Sequence, residues 1–206
     1  MATNSAAQYD ALPYGLPMGT VRGFLSVLIC SFFWLFLLIP DPQPGDPTPK
    51  APLGHFFLLS LVFLAFASHP IQELRVRAVL PWVMRVLFVG GSAAVLLFVA
   101  FSHPDRLGSR LTPDTSEITQ WPVLLGCLAG GFGIALVLRA VLGRNNHLFM
   151  TLRAWIGVLA MLMLLFETLF QFVILPGLSD KPSGDFMKVW EGILIALVAA
   201  YFGSRA

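Results

Sequence analysis

Two glutamates, two histidines and a glutamine stand in stretches that are otherwise almost wholly apolar, and any chemistry of this chain has to draw on them. Glu167 and Gln171 are one helical turn apart in LLFETLFQF, with Thr168 adjacent. Glu191 follows in the next apolar run, and His55 and His103 stand near the ends of two earlier ones. Two carboxylates that face each other cannot both ionise without a partner, so one would hold a proton; an imidazole beside them adds a ligand or a second proton carrier. Such groups serve a proton or cation path or line a ligand pocket. They also serve as interhelical hydrogen bonds that set helix register, in which case Glu191 would snorkel to the interface. The residue types leave these readings open.

Depth sharpens the question. Glu167 is eight residues before Leu175, about 12 Å from that end of its run at 1.5 Å per residue, and Glu191 is five residues past Phe186, about 8 Å in. An ionised side chain held that deep against lipid costs on the order of 3 kcal/mol or more, so Glu167 should face other helices, be protonated, or both. Spacing along a helix does not fix its rotation, so convergence of the two glutamates is an expectation only.

The elements that must position these groups are membrane helices. The chain of 206 residues is 57% hydrophobic and 12% charged, where a soluble domain carries about a quarter charged residues, and its mean hydropathy is +0.79. Apolar runs cover Thr20 to Pro40, Leu53 to Ser68, Pro81 to Ser102, Trp121 to Leu142, Phe149 to Leu175 and Phe186 to Gly203. Five approach the roughly 20 residues that cross about 30 Å of hydrocarbon, and the second is shorter. They are continuously apolar rather than alternating, which excludes a barrel and predicts an all-α bundle of about six spans. A polar tail, 1–19, precedes a single transmembrane domain, 20–206, with the first run an uncleaved signal anchor.

Six spans put both termini on one side. That side holds eight basic residues, Arg22, Arg75, Arg77, Arg85, Arg139, Arg144, Arg153 and Arg205, against Asp10 and Glu73; the other holds five basic and seven acidic residues. The positive-inside rule then places both termini in the cytoplasm. The outer connections are a Pro-rich extended stretch, Asp41 to Pro52, and a longer one, Ser102 to Pro122, with room for a short turn of helix. On the inner side PIQELRVRAVLPW reads as an amphipathic stretch at the interface, bounded by Pro81, with arginines that enforce topology. Asn145, Asn146 and His147 read as a turn. RAVL recurs at Arg77 and Arg139, but the flanks do not align, so no internal repeat is inferred.

Small residues mark packing faces. In GCLAGGFG, Gly126 and Gly130 are four apart, as are Ala129 and Gly133, and GGSAA begins with Gly90 and Gly91. In lipid, where hydrophobicity does not drive helices together, such spacing lets backbones approach, so the third and fourth runs should pack closely, within one chain or between copies. FFWLFLL and HFFLLSLVFLAF read as lipid contact, and Trp82, Trp121, Trp155 and Trp190 as interfacial anchors. Cys30 and Cys127 have no metal spacing and read as structural thiols. No nucleophile elbow, HExxH, phosphate loop or CxxCH haem site occurs, so neither an enzyme nor a cofactor is expected. A net charge of +2 gives no reason to expect a nucleic-acid partner.

LPMGTVRGFLSVL, Leu16 to Leu28, and the closing YFGSRA, Tyr201 to Ala206, resemble the ends of small uncharacterised bacterial, planctomycete-like polytopic membrane proteins. The resemblance covers about a tenth of the chain, implies a bacterial inner membrane and brings no catalytic residue with it. The expectation is a non-enzymatic membrane subunit that packs into a homo-oligomer or larger complex, with a small channel or transporter of protons or cations as the alternative.

Overall fold

The computed structural model describes residues 20–40, 50–67, 79–113, 118–143, 146–177 and 184–204. The polar tail, most of the Pro-rich connection, the arginine-bearing stretch 70–78 and Asn145 lie outside them. The described residues are helical, without strands. Helix α1 is Thr20–Leu38, α2 Leu53–Ala67, α3 Val79–Ser102, α4 Pro104–Leu111, α5 Trp121–Leu142, α6 His147–Leu169 and α7 Gly184–Gly203. α6 runs on through a π-helical turn, Phe170–Ile174, into a 3-10 turn, Leu175–Gly177.

Five of these segments are long and apolar enough to cross a membrane: Thr20–Leu38, Trp82–Ser102, Trp121–Leu142, His147–Ile174 and Phe186–Gly203. α2 is the shorter apolar helix; its 15 residues span about 22 Å. It begins among other helices, after Ala51, which is fully buried. α4 is the short helix for which the long connection had room.

Local chemistry explains several ends. Pro122 sits in the first turn of α5, where a missing N–H costs nothing. Gly143 ends α5 at φ 80°, with its N–H donating to the Arg139 carbonyl. Asn146 caps α6, its Oδ1 accepting from the Leu148 N–H at 2.9 Å. The expected turn is thus a cap, and His147 is the exposed first residue of α6. Pro81 lies in the first turn of α3 and bounds rather than bends it.

α1 and α7 form the centre. α1 packs on α2, α3, α4 and α6, and α7 on α2, α5 and α6. Their apolar windows are each 44% buried, against 11% for α3 and 17% for α5, which leaves the flanking helices to meet lipid. This corrects the reading of FFWLFLL as lipid contact. Phe32, Phe33, Phe36 and Leu37 are buried, because α1 has protein neighbours on most of its circumference. In α2, Leu58, Leu61 and Val62 are likewise buried while Phe63 is exposed.

The small residues also act differently from expectation. α3 does not pack closely on α5 within the chain; at Gly90, Gly126, Gly130 and Gly133 the place a Cβ would take has open space for 4 Å around it. The close pair is α5 with α7. A Cβ on Gly131 would run into the Ala196 carbonyl, and one on Gly203 would lie 2.9 Å from the Phe132 carbonyl oxygen. Gly91 does serve packing, since a Cβ there would stand 2.7 Å from the Trp34 ring, whose Nε1–H donates to Ser92 Oγ at 3.2 Å. Cys30 and Cys127 are free thiols.

Candidate functional site

α2, α6 and α7 bring three of the five polar residues together. His55 and Glu167 are each 1% exposed, and His55 Nδ1 stands 3.9 Å from Glu167 Oε1, beyond hydrogen-bond length. Glu191 is the acidic neighbour of Glu167 from α7, and the Trp190 indole approaches the same carboxyl. Among the described residues neither oxygen of Glu167 reaches full hydrogen-bond geometry with any side chain, and His55 Nδ1 has no hydrogen-bond partner. The approach of the α7 indole thus falls short of the strict geometry of an interhelical hydrogen bond. Thr168 does not supply one either, because its hydroxyl donates back to the Leu164 carbonyl at 2.8 Å.

Glu191 does not snorkel outward. Its carboxylate lies against the first turn of α2, where a Cβ on Gly54 would be only 2.7 Å from Glu191 Oε2. Gln171 is half-buried in the π-helical turn that follows Glu167. His103 is not part of the cluster; it is exposed, ahead of α4, with its N–H bonded to the Val99 carbonyl at 2.8 Å.

Aromatic rings fix the imidazole. Phe32 of α1 stacks on His55 with centroids 3.6 Å apart at 20°, and Phe33 meets it edge-on at 6.2 Å. Phe172, on the π-helical turn, adds a ring 5.2 Å from Phe32. Phe32, Phe33, Phe36 and Ala51 form one apolar cluster with Leu111 and Phe172 against it, and this separates the polar groups from α4.

Arg110 holds that arrangement, and sequence reasoning misses it, counting it only as an outer charge. It is 1% exposed; Nη1 donates to the carbonyls of Phe36 (2.8 Å) and Ile39 (2.7 Å), and Nη2 to Pro40 (3.2 Å). A guanidinium thus satisfies carbonyls at the C-terminus of α1, where the helix dipole also favours a cation. The Arg110 carbonyl in turn accepts from the Ala51 N–H at 2.9 Å, tying the approach to α2 to the same point. The spacing of Leu107, Arg110 and Leu111 on one face of an amphipathic helix is the available signal.

No protein-family model matches the chain, and no curated protein or solved structure matches it at a significant level. The site therefore has to be interpreted from its own geometry.

Proposed function

We propose that the chain is a non-enzymatic integral protein of a bacterial cytoplasmic membrane, with α2 as a short sixth span and both termini inside, that binds and relays a proton or cation through its buried carboxylates. The observation that carries this reading is the pair His55 and Glu167, side by side and buried, with Nδ1 and both carboxyl oxygens unpartnered. A polar group that only sets helix register has its hydrogen bonds made, and a buried group left without them calls for another explanation. Ionisable side chains inside a bundle serve proton and ion paths by preference. The bacterial membrane and the orientation rest on the terminal resemblance and on the basic side of the loops.

Reconstitution into liposomes holding a pH-sensitive dye tests the function. Proton entry under an imposed pH gradient should exceed that of protein-free vesicles; no movement of protons or monovalent cations over a range of pH would overturn the proposal.

A second reading has its own support. Gly126 and Gly130 leave a smooth exposed strip on α5 with no neighbour within 4 Å among the described residues, which suits self-association or docking to another membrane subunit. Native mass spectrometry from nanodiscs should then show more than one copy or a bound partner, and a lone monomer would remove this reading.

A further inference from the structure

α2 starts inside the bundle, so the first N–H groups of its helix cannot all turn to water. They also mark the positive end of its dipole. The carboxylate of Glu191 lies against this turn, and only a glycine at position 54 leaves room for it, since a Cβ would stand 2.7 Å from Oε2. Glu191 is therefore provided with a compensating environment by the backbone of another helix. Glu167 is not; beside its carboxyl stand the Trp190 indole and the His55 imidazole, itself stacked on Phe32.

Resting on the proton or cation reading above, we infer that the two glutamates divide the work: Glu191 is a fixed anion held on the N-terminus of α2 through Gly54, and Glu167 with His55 is the exchange pair, whose ligand is a single proton. The three groups do not converge as metal ligands do; among the described residues no set of three His, Cys, Asp or Glu side chains is arranged to hold a metal ion. Their geometry suits transfer between two atoms instead. Closing the 3.9 Å gap by about 1 Å brings Nδ1 and Oε1 to hydrogen-bond length. The N–H bond of the imidazolium then breaks as the O–H bond of the carboxylic acid forms, both groups become neutral, and no electron is exchanged. In reverse the step regenerates imidazolium and carboxylate.

Three other ionisable groups on the surrounding helices are placed as follows. Arg110 of α4 bonds the end of α1, Cys30 of α1 is turned to Ser92 of α3, and Lys188 of α7 is an exposed residue. Glu191 is the acidic neighbour of the pair from α7.

Infrared difference spectroscopy of the protein in nanodiscs, stepped through pH, reads the carboxylic-acid C=O stretch directly and needs no transport. One band should appear on acidification, vanish in Glu167→Gln and persist in Glu191→Gln. Should Glu191→Gln fail to fold, as removal of an anion from a helix end allows, Gly54→Ala provides the second arm: both carboxyls remain, the Glu167 band persists, and the unfolding midpoint falls. A band that survives Glu167→Gln and vanishes in Glu191→Gln would overturn the division while leaving the transport reading intact. No pH-dependent band in the wild type would overturn the single-proton ligand, even if liposomes carried another cation.

Discussion

Glu167 is conspicuous in the sequence as a carboxylate in an apolar run, but its surroundings are not, because the rotation of α6 decides whether it meets lipid, a hydrogen-bond donor or an imidazole. The structure turns it to His55 and gives it no complete hydrogen bond. The consequence for stability is opposite to that of a register lock. Removing a bonded interhelical group costs roughly 0.6 to 2 kcal/mol, whereas replacing an unpartnered buried carboxyl with an apolar side chain costs little or stabilises. Glu167→Leu should therefore leave the thermal unfolding midpoint in detergent unchanged or raised; a clear drop would restore the structural role. His55→Phe should preserve the stack on Phe32 and the fold, while abolishing proton movement in liposomes, because Nδ1 is lost and the ring is kept. His103, as conspicuous in the sequence, stands apart because it precedes α4 at the exposed end of α3.

Among the elements, α4 is small but joins the ends of two helices that flank the site. Arg110→Ala removes three charge-assisted hydrogen bonds to helix-end carbonyls and should cost about 2 to 4 kcal/mol in a denaturation series, with Arg110→Lys recovering only part, since an ammonium cannot span the same carbonyls. Equal stability of Arg110→Ala and wild type would show that the clamp is not needed. On α5 the glycines separate by face. Gly131→Ala should disrupt the contact with α7 and lower the unfolding midpoint, while Gly126→Ala should leave a single chain as stable as before; equal effects would contradict this packing. The sequence offers all these glycines alike. Spacing identifies the helix that packs closely but not its neighbour within the chain, because Gly130 and Gly131 differ by about 100° in direction and only tertiary contacts select between them.

At the scale of the whole molecule, the five long apolar helices, the shortness of α2 and the membrane class are legible in the sequence because hydrocarbon thickness imposes a length and a composition. The order of packing is not, since every run is apolar all round and none announces which one is central. α1 reads as facing lipid for that reason, although Phe32, Phe33 and Phe36 wall the site. The charge sorting predicts a further outcome: a cysteine placed at Asp46 or Ser109 should react with an impermeant reagent from outside the cell, and one at Asn145 should not, the reverse pattern overturning the orientation. The central claim, that a buried carboxyl exchanges a proton, is tested most directly by proton uptake into liposomes carrying equal amounts of folded wild type and Glu167→Gln. The amide has nearly the shape of the carboxyl but cannot ionise. The account predicts that uptake falls at least tenfold, to the level of protein-free vesicles, with the unfolding midpoint preserved; a Gln variant that takes up protons as fast as the wild type would contradict it.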